Sequence, residues 1–463
     1  MSAHWSRLGN LAAVAVFAVA SLCTAPPAHA VSPPPIDNTL LPEPARPAPP
    51  QPTEQQEMCT VTTAHTGRAG IPNQLKGLDL ASVWQLTRGS GQRVAVIDTG
   101  VSPHRRLPAV VPGGDYVFTG DGTQDCDGHG TVVAGIIAAA ADPNDPAGVC
   151  SVAPDVTLIS IRQSSNKFGS TDDSASRGFG DVGTLAMAVR TAADMGASVI
   201  NISSVACASA GSALDDRALG AALAYAVDVK DVVVVAAAGN VGGPGQCPAQ
   251  NPASEPTVVA SPAWYDDYVL SVGSVGPDGA PSRFSLAGPW VDVAAAGEAV
   301  VSLNPAGDGL VDALPAMDGS APISGTSYAA PVVSGLAALV RSRFPQLRAR
   351  QVMQRIEATA HHPPAGWDPF MGSGVIDALA AVSADAPQTT GRPAAVGVPA
   401  PIVTPAAPAR SDIRARDTAF TGAAGCLALL AAAVAVTTAS ARLWRPRAQR
   451  DADAAGRQGV MRD

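Results

Sequence analysis

Along the middle of the chain, short runs of β-branched residues alternate with longer stretches in which alanine, glycine and other small residues recur. Residues 94–97, 156–161, 199–202, 232–236 and 269–272 form nearly continuous apolar runs, which predicts strands buried on both faces. Residues 131–141, 183–195, 218–229 and 326–343 predict helices between them. Strand and helix in regular alternation mean a mainly parallel sheet covered by helices, a three-layer α/β architecture. In such sheets ligands and chemistry gather beyond the carboxyl ends of the strands. Asp98 and Asn240 both fall just past a predicted strand end.

Two apolar stretches lie outside this pattern. Residues 1–30 carry Arg7, an apolar run over 11–23 and the small-x-small ending Ala28-His29-Ala30, the pattern of an export signal cleaved after Ala30. Residues 419–441 hold no charge, and at about 1.5 Å per residue they reach across a bilayer core of roughly 30 Å. They are expected to form one transmembrane helix. Arg442, Arg445, Arg447 and Arg450 follow directly, as a cytoplasmic tail over 442–463 requires. With an exported N-terminus, the bulk of the chain is expected to lie outside a cell membrane that it crosses once.

Proline changes the picture at the flanks. The chain has 463 residues and 41 prolines, many of them in residues 31–52 and 386–410. The expected organisation is an N-terminal extension over 31–77, a globular domain over 78–385 and a Pro/Ala-rich linker over 386–418. The net charge of −9, with charged residues at 15%, excludes a nucleic-acid partner, which needs a basic face.

The candidate chemistry sits in three glycine-rich frames. Asp98 ends ValAlaValIleAspThrGly; a strand-end carboxylate there serves equally to cap a turn. His129 lies in AspGlyHisGlyThr at the start of a helix; a histidine alone is more often structural. Ser327 lies in SerGlyThrSerTyrAlaAlaPro, at the start of a helix that Pro331 enters in its first turn, where a serine also serves as a cap. Jointly, the order Asp, His, Ser is that of one type of serine-protease triad. The motifs DTG, HGT and GTSYAAP resemble those of the subtilisin-like (S8) peptidases, the last matching GTSxAxP throughout. Similarity runs from about Leu78 to Val382, through FSLAGPWVDVAAAG and GSGVIDALAA.

The resemblance implies serine endopeptidase chemistry with Asp98, His129 and Ser327 as triad and Asn240, in AlaAlaGlyAsn, as oxyanion donor. It implies a substrate-pairing edge at Ser203, Ser204 and Val205, with Gly239 beside it. That edge is often glycine-rich in the family; SerSerValAla here narrows the groove and predicts restricted specificity. The signal peptide, Pro-rich extension, DCDGHGT context, NISSVAC segment and C-terminal anchor resemble the mycosins, membrane-anchored proteases of type VII secretion. That resemblance implies an extension that wraps the catalytic domain and stays with it, and secretion-complex subunits as partners. A scaffold role in such a complex is the competing reading. A sedolisin-type acid peptidase, with Glu in place of His, is disfavoured by HGT.

Five cysteines remain outside the signal and membrane segments, and spacing leaves their pairing open. The expected scheme joins Cys59 to Cys126, pinning the extension beside the active site, and Cys207 to Cys247 across the cleft loops, with Cys150 free and buried. No CxxC pair favours a metal, and no cofactor is expected. Residues 163–181, with Asp172 and Asp173, read as a solvated surface insertion near the cleft rather than as a calcium loop.

Overall fold

The computed structural model describes residues 31–62, 71–107, 109–142, 151–172, 178–212, 214–243, 246–252, 256–316 and 319–384. The expected signal peptide, linker, membrane helix and tail, together with Cys150 and Asp173, lie outside these. Among the described residues no helix is long and apolar enough to cross a membrane.

Seven strands build the central sheet: β1 (Arg93–Asp98), β2 (Val110–Asp115), β3 (Thr157–Arg162), β4 (Val199–Ile202), β5 (Val233–Ala237), β6 (Leu270–Val275) and β7 (Val293–Ala296). Their order is β7-β6-β5-β4-β1-β3-β2, and every pairing is parallel. From β1 the chain crosses to the edge strand β2, comes back to β3 between the two, and then places β4 on the other side of β1. This makes β1 and β4 the topological switch point, where a crevice opens beyond the strand ends.

Among the described residues seven helices accompany the sheet: α1 (Leu80–Leu86), α2 (His129–Ala138), α3 (Val182–Asp194), α4 (Arg217–Ala224), α5 (Thr326–Arg343), α6 (Ala349–Thr359) and α7 (Ala378–Val382). Helix α5 packs on β4, β5, β6 and β7 and against α2, while α3 pairs with α4. All residues of α5 from Thr326 to Val340 are buried, which its run of Ala, Gly, Val and Ser permits by letting backbone approach the sheet closely. Helix α4 passes into a π turn at Tyr225–Val229, so the predicted helix over 218–229 is two geometries in sequence.

The extension does not hang free. Val31, Ile36 and Leu41 pack on the core, Asp37 caps a short 3-10 turn at Asn38–Leu40, and the Pro42 carbonyl accepts from Arg190. Thr53–Gln55 then pairs antiparallel with Phe168–Ser170. This corrects the expectation of a solvated insertion: Phe168, Gly169 and Ser170 are buried, and the Arg162 guanidinium lies 4.4 Å over the Phe168 ring.

One half-buried carboxyl pair makes stability pH-dependent. Burial, then the negative Asp266, pushes the Glu357 carboxyl on α6 up to about 7, and burial with Glu357 and Asp266 raises Asp292 well above its ordinary value. A raised folded-state pKa means the native protein binds protons that the unfolded chain has released, so stability falls as pH rises from the ordinary glutamate range through about 7. We expect the purified chain to melt at lower temperature at pH 8 than at pH 5.5, and Glu357→Gln to narrow that gap. Thermal scans of both proteins across this range check it; an equal gap in the variant refutes the assignment.

Candidate active site

At the carboxyl end of β1 the Asp98 carboxylate is only 2% exposed. Its Oδ1 accepts from the Thr99 amide at 2.7 Å and lies 2.7 Å from His129 Nδ1. His129 is the first residue of α2, preceded by Gly128 at φ 86°. The approach of α2 to the Asp98 turn depends on Gly130, whose Cβ, were there one, would stand 2.0 Å from the Gly100 carbonyl and 3.2 Å from Asp98 Cβ. Burial disfavours the imidazolium, but the Asp98 carboxylate, helped by Asp125 and Asp127, outweighs it and raises the His129 pKa above its ordinary value.

Asp125 and Asp127 were not singled out in the sequence, although both stand within four residues of His129. Asp125 accepts from Thr99 Oγ1, the Gly128 amide, the Thr131 amide and Thr131 Oγ1 at 2.7 to 2.8 Å. Asp127 accepts from the Asn166 amide at 2.7 Å and from Ser165 Oγ, holding the segment that continues β3.

Ser327 is the second residue of α5 and is 7% exposed. Pro331 stands in the second helical turn, not the first as expected. Lacking an N–H, it cannot bond the carbonyl of residue 327 four positions back. Ser203 Oγ donates to that Ser327 carbonyl at 2.8 Å instead, and accepts from Asn201 Nδ2 at 2.9 Å. Ser334 Oγ donates to Asn201 Oδ1 at 2.8 Å, closing a buried network between β4 and α5.

Asn240 follows β5. Its Oδ1 accepts from the Thr326 amide at 2.9 Å and from Thr326 Oγ1 at 3.0 Å, while the Gly239 amide donates to that hydroxyl at 3.3 Å. With the oxygen so fixed, Asn240 Nδ2 stands beside Gly325: a Cβ there would lie 3.4 Å from it and 3.0 Å from Ser327 Oγ. The Tyr328 ring lies 5.0 Å from the His129 ring, centroid to centroid, bringing the α5 start against the α2 start.

A cavity of about 510 Å³ adjoins this cluster, lined on one side by Gln163–Asn166 with Phe179 and on the other by Ser204, Val205 and Ala206. Ser204 and Val205 thus face a cleft, whereas Ser203 turns its hydroxyl to α5. Cys59 is bonded to Cys126 and Cys207 to Cys247. The first joins the extension to the loop before His129. The second places Cys247 Sγ 3.1 Å from where a Cβ of Gly239 would be. Among the described residues no group of three or more His, Cys, Asp or Glu side chains is placed to hold a metal ion.

Known proteins resemble this chain over most of its length. Mycosin-4 of Mycobacterium tuberculosis is 64% identical over 467 residues, covering 99% of each chain. Subtilisin DY of Bacillus licheniformis is 33% identical over 64% of this chain. Among solved structures, a chain of an intact ESX-5 inner membrane complex matches with TM-score 0.72 and 41% identity, over 88% of this chain and 100% of that one. MycP1 from the ESX-1 type VII secretion system matches with TM-score 0.71 and 42% identity, over 77% of this chain and 97% of its own. The Subtilase profile matches residues 89–381, and the chain belongs to the Subtilase family of peptidases, in its mycosin branch.

Proposed function

We propose that this chain is a membrane-anchored serine endopeptidase of a type VII secretion system, with Asp98, His129 and Ser327 as its catalytic triad and Asn240 as oxyanion donor. The observation that carries the reading is the 2.7 Å Asp98–His129 pair set at the start of α2, with the His129 ring against the residue that follows Ser327. A serine hydroxyl is a poor nucleophile at neutral pH. His129 Nε2 takes the Ser327 proton as Oγ attacks the peptide carbonyl, then returns it to the leaving amine; water repeats the cycle on the acyl-enzyme. Asp98 holds the tautomer with hydrogen on Nδ1 and stabilises the imidazolium as it forms. The oxyanion is met by Asn240 Nδ2 and by the Ser327 amide, whose helix N-terminus favours negative charge.

The organisation that serves this role is a signal peptide over 1–30, an extension over 31–77, a peptidase domain over 78–385, a linker over 386–418, a membrane helix over 419–441 and a cytoplasmic tail. Ser204, Val205 and Gly239 then bound the substrate groove, and side chains in place of glycine on that edge support a narrow set of peptide substrates.

A second reading gives the chain a stabilising role within the secretion complex, with catalysis secondary. It is favoured by the likeness to a chain solved inside an intact ESX-5 inner membrane complex. The two roles separate in cells: Ser327→Ala is expected to leave secreted substrates unprocessed while secretion itself tracks the deletion strain only if catalysis is primary. Full secretion with Ser327→Ala makes the structural role primary.

On a hydrolysable peptide, Asn240→Ala is expected to lower kcat by about 10²- to 10³-fold with little change in KM. Steady-state kinetics check this, and an unchanged kcat removes Asn240 from the oxyanion site.

A further inference from the structure

Asp125 takes no part in the proton transfers described above, yet its carboxylate receives four hydrogen bonds, more than the Asp98 carboxylate or the His129 ring has among the described residues. Its four bonds have a crosswise pattern. Thr99, in the turn that carries Asp98, donates its hydroxyl to Asp125 Oδ1 at 2.8 Å and accepts the Gly130 amide of α2 at 2.9 Å. Thr131, in α2, donates its hydroxyl to Asp125 Oδ2 at 2.7 Å and accepts the Ser102 amide from beyond β1 at 2.9 Å. Each hydroxyl has one proton, and Asp125 takes both. Each hydroxyl is therefore free to accept an amide from the opposite element. The Thr99 amide in turn donates to the same Asp98 Oδ1 that meets His129.

We propose that Asp125 is a positioning residue for catalysis: as a carboxylate it knits the Asp98 turn to the first turn of α2 and so fixes the Asp98–His129 pair. This rests on the serine-peptidase reading. An asparagine replaces one of the two oxygens by an NH2 donor, and protonation turns one of them into an O–H donor, so at least one threonine proton loses its partner and the knit opens. Misplacement of a catalytic group by about 1 Å is enough to cost roughly 10²-fold in rate.

The charge of Asp125 acts as well as its bonds. The ionisable groups facing His129 are Asp98, Asp125 and Asp127, with Tyr328 from α5. Removing one negative charge lowers the His129 pKa, so the acid limb of the rate profile moves to lower pH. Burial pushes the Asp125 carboxyl up to about 6, so on acidification Asp125 takes up a proton and opens the knit in addition to the proton taken up by His129. The wild-type limb therefore rises more steeply than one proton allows.

The test follows phosphonylation of Ser327 in the full-length, detergent-solubilised chain by a fluorophosphonate, as a function of pH. Wild type is expected to show an acid limb steeper than one proton. Asp125→Asn is expected to react about tenfold or more slowly at its plateau, with a single-proton limb displaced to lower pH. Thr99→Val removes one link and keeps the charge, and is expected to slow the reaction without displacing the limb downward. A one-proton wild-type limb overturns the proposal, as does an Asp125→Asn profile equal to wild type. Should Asp125→Asn fail to fold, the wild-type slope and Thr99→Val decide between the same outcomes. Wild type that does not react at all sinks the peptidase reading itself, a different failure from an unaltered variant.

Discussion

The fold depends at its working end on one short hydrogen bond, 2.7 Å between a strand-end carboxylate and a helix-start imidazole. For that bond to form, α2 must approach the β1 turn at backbone contact, which Gly130 permits by having no Cβ. A buried carboxylate is costly unless its charge is met by donors. Asp98 meets part of that cost at Oδ1, through the Thr99 amide and the imidazole, while its buried Oδ2 has no hydrogen-bond partner among the described residues; the helix start is held in turn by Asp125. The strain of bringing acidic groups together is thus offset by donors drawn from two elements that must then stay in register.

A parallel sheet explains why the other parts arrive at the same place. Asp98, the segment after β4 and the loop after β5 all leave the sheet at its carboxyl edge around the switch point. Helix α5 runs buried beneath them and presents its N-terminus to the same crevice. Pro331 removes the amide that would otherwise occupy the Ser327 carbonyl, and Ser203 fills the vacancy from β4. The residue most suspect for breaking a helix therefore ties that helix to the substrate edge.

The five buried strands were legible because parallel strands covered on both faces carry nearly unbroken apolar runs. The two outermost strands were not. In β2, Val110–Asp115, Pro112 and two glycines interrupt the run, and the pairing with β3 slips between Pro112 and Gly114. In β7, Val293–Ala296, a run of small residues looks as much like helix as strand. Helix α6 was missed because its apolar face, Val352, Met353 and Ile356, lies among charged positions. Among site residues, Asp98, His129, Ser327 and Asn240 stand in frames whose glycines advertise them. Thr326 and Ser203 act through hydrogen bonds to elements far away in the chain, and Asp125 matters because it joins its neighbours in α2 to the Thr99 turn, contacts that local pattern does not encode. The wrapping of residues 31–62 likewise comes from single anchors, such as Thr53–Gln55 on Phe168–Ser170 and Cys59 on Cys126, rather than from any periodicity.

The central claim is that Asp98, through His129, makes the Ser327 hydroxyl nucleophilic. Peptide mass mapping of the full chain after brief exposure to a fluorophosphonate tests it most directly. The account predicts a single adduct on Ser327 in the wild type, slowed by about 10⁴-fold in Asp98→Asn. An adduct on another residue, or equal labelling of the two proteins, contradicts it.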